Sequence, residues 1–137
     1  MITAYQVRQL MPPTALVIAA DATYARPTVE WLQGDFWDWF KSARWKLGLH
    51  RWHRRHDCDD FARAYCQGCA DAWALTPGAE EVAEAVAVGE FYYNNAGNPH
   101  AIVAAVTDMG LVFIEPQTGL ALKLTDDEIK SCFYARF

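Results

Sequence analysis

This chain has no hydrophobic run that would serve as a membrane span. Leu16–Ala20 is apolar but falls far short of the roughly 20 residues a spanning helix needs. The opening residues, Met1-Ile2-Thr3-Ala4-Tyr5-Gln6-Val7-Arg8, lack the basic stretch and long apolar core of a secretion signal. Cysteine is sparse, at four residues. With no leader in front of them, the expectation is a cytoplasmic protein with reduced thiols, no disulfides and no membrane partner. Positive charge is also in deficit. Twelve Lys and Arg stand against 17 Asp and Glu, a net charge of -5, which argues against nucleic-acid binding by the molecule as a whole but leaves room for a local basic patch. There is no repeat, no low-complexity tract and no sign of a second domain. A chain of 137 residues suits one domain over 1–137 with a real core; at this size roughly two-thirds of the unfolded surface is buried. Aromatics, in contrast, are plentiful: six Trp, six Tyr and seven Phe point to a core or cleft rich in rings.

The stretch His56-Asp57-Cys58-Asp59-Asp60-Phe61-Ala62-Arg63-Ala64-Tyr65 organises the rest. From Cys58 onward, Phe61, Ala62, Tyr65, Cys69, Ala72 and Trp73 recur at helical spacing and fall on one face. Asp60, Arg63, Ala64, Gln67 and Asp71 take the other. Asp57 is placed as an N-cap, where its carboxylate would accept free backbone N–H groups of the first turn. Cys58 would then sit at the positive end of the helix dipole, a position that favours a thiolate. For a cysteine taken alone, a small apolar residue in a core is the simpler reading.

Upstream, Met11-Pro12-Pro13 interrupts a set of short elements and Leu16-Val17-Ile18 reads as a short buried segment. The stretch from Asp21 to Pro27 reads as loop. Thr28 can cap a helix running to about Leu47, with Leu32, Phe36, Trp39, Phe40, Ala43 and Leu47 as its apolar stripe and Gly34 as its weak point. A basic connector, Lys46 to His56, leads into the cysteine helix, which should stop near Leu75 before Thr76-Pro77-Gly78. Glu80 to Asn94 is ambiguous at its start and favours strand by its end, at Phe91-Tyr92-Tyr93. Asn94 to Pro99 reads as a loop delivering His100 at the head of a strand over 101–106, and Thr107-Asp108-Met109-Gly110 turns the chain into a return strand over 111–115. Thr125-Asp126-Asp127-Glu128 has capping-box spacing, and 133–137 closes the fold as an edge strand.

A thiol nucleophile needs a base, and the base needs a group to orient it. His100 and Glu115 fit if the hairpin turns about Asp108-Met109, so that facing residue numbers sum to 217. The two side chains are then diagonal neighbours on one sheet face, roughly 7–8 Å apart at the backbone. A one-residue slip would put Glu115 on the other face. Gln117 is the alternative orienter; Glu115 is preferred because a carboxylate also stabilises an imidazolium. Three aspartates surround Cys58, so the magnitudes matter. An imidazolium about 4 Å from the sulfur is worth about 4 kcal/mol at an effective dielectric near 20, whereas a solvent-facing carboxylate about 8 Å away costs about 0.5 kcal/mol. The histidine wins provided Asp59 and Asp60 face water.

Taken together, Asp57-Cys58-Asp59-Asp60-Phe61-Ala62, Asn98-Pro99-His100-Ala101 and Phe113-Ile114-Glu115-Pro116-Gln117-Thr118 resemble the transglutaminase-like cysteine proteins of the papain-like superfamily, especially small phage and prophage members. The similarity covers roughly residues 55–118. It implies an α+β fold with a papain/transglutaminase-like core, in which N-terminal helices and a central cysteine-bearing helix pack on an antiparallel β-sheet. It further implies Cys58 as nucleophile, His100 as base and Glu115 as orienter, acting on a peptide or amide-bearing substrate by hydrolysis or acyl transfer, with no cofactor and no metal. A peptidase, an amidase and a transglutaminase share these steps. One departure concerns the oxyanion donor: a glutamine often stands about six residues before the cysteine, and here that position is Trp52, whose indole N–H is the substitute beside the Cys58 backbone N–H.

Three other patterns compete. Cys66-x-x-Cys69 lies over two turns into its helix and on its apolar side, which fits core packing better than redox or metal chemistry. His50, His53 and His56 are spaced for zinc, but the Arg-rich surroundings oppose a cation. Lys41, Arg44, Lys46, Arg51, Arg54 and Arg55, interleaved with Trp45 and Trp52, could grip an acidic protein or nucleic acid, the latter at Arg51, Arg54 and Arg55. The same fold could also serve without catalysis, as a phage-type binding or structural module using this basic and aromatic surface.

Overall fold

The computed structural model describes residues 1–76 and 84–137. The beginning of the ambiguous 80–94 segment lies outside these described residues. The cysteine helix spans Cys58–Ala74 (α4), and Phe61, Ala62, Tyr65, Gly68 and Cys69 form its buried face. This is the three-and-four spacing of an amphipathic helix. Its start is closed by the Asp57 N–H, which donates to the Asp60 carboxylate at 3.2 Å. On the wet side, Arg63 reaches back one turn to Asp59 and Asp60 at 3.2 and 3.4 Å.

Thr28 does cap a helix: its hydroxyl accepts the Trp31 N–H at 3.0 Å. That helix is short, Val29–Gln33 (α2), and breaks at Gly34 before Asp35–Lys46 (α3) begins. The single helix expected from Thr28 to about Leu47 is therefore two. Phe36 and Phe40 of α3 meet Tyr65 of α4 edge-on, with ring centroids 5.0 and 5.4 Å apart. Gly68 permits this approach, since a Cβ there would lie 2.8 Å from the Phe40 ring.

A six-stranded sheet underlies these helices, in spatial order Leu16–Ile18 (β2), Tyr134–Arg136 (β9), Val88–Asn95 (β5), Asn98–Thr107 (β6), Gly110–Ile114 (β7) and Ala121–Leu122 (β8). Strand β6 is buried on both faces. Ala101, Val103 and Ala105 join Phe36, Phe40, Ala62 and Tyr65 on the helix side. Ile102, Ala104 and Val106 join Val7, Met11, Phe91, Phe113 and Ala135 on the other. Hence its nearly continuous apolar run rather than an alternating one. A second sheet of three strands, Ile2–Thr3 (β1), Thr23–Ala25 (β3) and Ala85–Val86 (β4), flanks the first. Helices Ala4–Leu10 (α1) and Asp126–Lys130 (α5) complete the described elements, α5 being capped by Thr125 as its spacing implies.

The expected papain/transglutaminase-like core, with N-terminal helices on a purely antiparallel sheet, needs correcting at the level of architecture. The first 27 residues supply three strands and one short helix. Strand β3 lies where a loop was expected. Both sheets are mixed, because β2 runs parallel to β9 and β3 parallel to β4. The C-terminal strand β9 is not an edge, since β2 covers it on one side and β5 on the other. The physical reason is range: strand partners as far apart as Tyr24 and Ala85, or Leu16 and Tyr134, leave no trace in local periodicity.

Candidate functional site

His100 comes from the β5–β6 hairpin. Strand pairing runs to Asn95 opposite Asn98, so the turn is only Ala96-Gly97, both at positive φ (49° and 83°). This is the two-residue geometry that suits the twist of flanking strands. His100 is thus the third residue of β6 rather than the residue that follows a loop. Between β6 and β7, Val103 pairs with Ile114 and Val106 with Leu111, and each pair sums to 217. The register carries Glu115 to His100: Oε2 lies 3.5 Å from Nε2, with the two side chains 21% and 28% exposed. Glu115 Oε1 also accepts the Gln117 N–H at 3.2 Å, and its carbonyl accepts the N–H groups of Thr118 and Gly119. The carboxylate is therefore held by the turn that follows its strand. Tyr93, opposite His100, packs edge-on against the imidazole at 5.8 Å between centroids.

Cys58 is half-buried at the first position of α4 and packs against the cluster that contains Ala101. His100 and Glu115 have the parity of Ile102 and Phe113, whose side chains enter the layer away from α4. Among the described residues, the sulfur makes no hydrogen bond to the imidazole. The structure joins His100 to Glu115. All four cysteines are free. Burial pushes the Cys66 and Cys69 thiols well above the usual range, as expected of core residues. Gln117 and Trp52 are exposed. Beside Cys58 the acidic side chains crowd one another. Asp57 contacts Asp59, a carboxylate contact that raises the pKa of Asp57 and lowers that of Asp59. Asp57, Cys58 and Asp59 have ligand atoms within 4.8 Å of one another and are the residues that could hold a cation.

A groove opens at the C-terminal half of α3. Its volume is about 600 Å³, and its walls include Trp37, Phe40, Lys41, Arg44, Trp45, Lys46 and His50, with Phe61 of α4 and Pro116-Gln117 after β7. The Trp45 and His50 rings stack, with centroids 3.8 Å apart and 24° between planes. Trp37 is wedged against Phe40 and Tyr65 at 6.0 and 6.3 Å. Arg44 lies over the Phe40 ring at 5.9 Å and donates from Nη2 to His56 Nε2 at 3.0 Å. Burial, followed by the Arg44 charge, lowers the pKa of His56. His50 and His56 are thus engaged with Trp45 and Arg44. Arg51, Arg54 and Arg55 are exposed and do not line the groove. A larger cavity of about 970 Å³ on the far side of α4 holds both signs of charge, including Arg63, Glu90 and Arg136. There Glu90 already accepts from the Tyr92 hydroxyl at 3.1 Å and faces Arg63 at 3.8 Å.

No family model matches the chain, and no curated protein matches it in sequence. Solved structures do match. One is described as a PSL1a–E64 complex, with a TM-score of 0.74 and 19% identity over 98% of this chain and 50% of the other. A second is a Polyporus squamosus lectin bound to the human-type influenza-binding epitope Neu5Aca2-6Galb1-4GlcNAc, with a TM-score of 0.65 and 20% identity over 90% of this chain and 42% of the other. The chain shares its fold with part of a lectin. It spans half or less of the solved chains it matches. The resemblance to transglutaminase-like and papain-like proteins, and to their phage and prophage members, is corrected by these lectin neighbours. The cysteine-peptidase and hydrolase assignments that came with that resemblance go with it. The motifs behind it are short and local, and short motifs do not specify which long-range arrangement carries them.

In the sequence, Arg44 and Trp45 stand out only as part of a basic and aromatic stretch, and Trp37 does not stand out at all. The signal available was Pro116-Gln117-Thr118-Gly119, a turn whose glycine sits at φ 71° against the Trp37 indole. Among the described residues, no helix is long and apolar enough to cross a membrane.

Proposed function

We propose that this protein is a sugar-binding module whose ligand sits in the groove at the end of α3. One observation carries the reading: two tryptophans and two phenylalanines line an open groove beside Lys41, Arg44, His50 and Gln117. A pyranose presents an apolar C–H face and a rim of hydroxyls. Aromatic walls with a few convergent polar groups complement both. The neighbour bound to Neu5Aca2-6Galb1-4GlcNAc supports a glycan rather than a peptide as the ligand class. The test is binding of the purified chain to a panel of immobilised glycans, followed by titration of any hit with Trp45→Ala. Binding that falls by about tenfold or more in the variant supports the groove. Retention of no glycan at all ends the reading.

A further inference from the structure

The groove contains a charge that the fold does not neutralise. Arg44 is half-buried, and its Nε is wholly buried with no hydrogen-bond partner. Among the described residues, no carboxylate lies within ion-pair distance of it. Its polar contact is a neutral acceptor, His56 Nε2 at 3.0 Å. The cost of this burial is visible in the guanidinium, whose pKa falls below its ordinary value. Among the described residues Lys46 stands nearby without an acid partner, and Lys41 is engaged with Asp38 at 3.0 Å. Among the described residues the groove lining contains three cations and no carboxylate. The C-terminal end of α3 offers partial compensation through the helix dipole. It does not supply the missing acceptor at Nε. A half-buried guanidinium normally has an anion against its fork, because a buried charge without one is costly.

We infer that the groove selects ligands carrying a carboxylate, which pairs with the guanidinium of Arg44 while the rest of the ligand lies on the rings of Trp45 and Trp37. The inference rests on the sugar-binding reading and narrows it to acidic oligosaccharides. A planar carboxylate matches the two-pronged donor set of arginine, and the aromatic walls exclude water from the pair.

The experiment is a tryptophan-fluorescence titration of the full chain with trigalacturonate, with its methyl ester and with benzoate, repeated on Arg44→Gln, Arg44→Lys and Lys130→Gln. Methyl esterification removes the charge of the first sugar and leaves its ring skeleton unchanged. Benzoate supplies the carboxylate without a sugar. The expected result is affinity for trigalacturonate about tenfold or more above that for the ester, a preference erased in Arg44→Gln, weakened in Arg44→Lys and unchanged in Lys130→Gln. Thermal melting of each variant separates lost affinity from lost structure, and Arg44→Lys keeps the charge if Arg44→Gln does not fold. Equal affinity for the acid and the ester overturns the inference and leaves the sugar reading standing. Arg44-dependent binding of benzoate with neither sugar bound keeps the carboxylate preference and overturns the sugar reading. Binding of none of the three sinks both.

Discussion

The carboxylate of Glu115 lies 3.5 Å from Nε2 of His100 across the β6–β7 pair, held there by a strand register and by the turn that begins at Glu115 itself. Both side chains remain partly in solvent, so the pair is worth little to the fold. Exposed ion pairs typically contribute about 0–1 kcal/mol. Glu115→Gln should therefore lower stability by less than about 1 kcal/mol in urea unfolding. A loss beyond about 2 kcal/mol would mean that the turn, not the ion pair, depends on this carboxylate.

The four thiols should separate by reactivity. Cys58 is half-exposed, whereas burial pushes the Cys132 thiol up to about 11 and those of Cys66 and Cys69 well above the usual range. Each unit is a factor of ten in thiolate, so Cys132 should alkylate at least about 100-fold more slowly than an ordinary thiol near pH 8. Peptide mapping after native iodoacetamide treatment should find Cys58 labelled first, with all four labelled in denaturant. Equal labelling of Cys66 in the native protein would show that α4 is not packed as described. Comparing the Cys58 rate in His100→Ala adds a direct check on thiol chemistry: unchanged rates across pH mean that the imidazole does not reach the sulfur.

His56 should make stability depend on pH in a known direction. Burial and the Arg44 charge lower its folded pKa below the unfolded value of about 6.5, against the smaller pull of Asp60 and Asp57 and with a further push from His53. Below that value the unfolded chain takes up the proton more readily than the folded one. This contribution to stability is therefore complete above about pH 6.5 and is lost as pH falls toward the folded value. Replacing His56 with Gln removes the titration. Urea midpoints at about pH 5 and about pH 8 should differ less in His56→Gln than in the parent chain. An identical difference would show that His56 does not titrate against Arg44.

Gly119 ties the turn after β7 to the groove. It sits at φ 71°, and a Cβ there would run into the Trp37 indole. Gly119→Ala should cost about 1–3 kcal/mol through strain and displacement of the ring. It should also weaken ligand binding more than its loss of stability explains, because Trp37 is a wall of the groove. Thermal melting and fluorescence titration of the same sample would separate the two effects. A variant that melts and binds like the parent would show that Trp37 is free to move aside.

How much was legible depends on the range of each interaction. The cysteine helix was readable within a residue, since Phe61, Ala62, Tyr65 and Cys69 carry its period and Asp57 and Asp60 mark its start. The β6–β7 register was readable too, because the turn at Asp108-Met109 lies within the pattern it governs. Gly34 reads in the sequence only as a local cost, whereas in the structure it ends one helix and begins the next. The family inference failed for another reason. Three short motifs carry the family resemblance, while the fold is defined by pairings such as Val17 with Ala135 that no short window contains.

By itself, the amino-acid sequence determined the local elements: where α4 starts, which faces of α4 and β6 are apolar, and how β6 meets β7. Those follow from periodicity, capping and turn geometry over spans of a few to twenty residues. Only the tertiary structure decided that β2 lies beside β9, that Cys58 packs with the cluster of Ala62, Tyr65 and Ala101, and that Arg44 lines a groove with no acid among the described residues to pair with. These depend on packing between segments far apart in the chain, where burial and unmet charge are properties of the assembled surfaces rather than of any stretch that contributes to them.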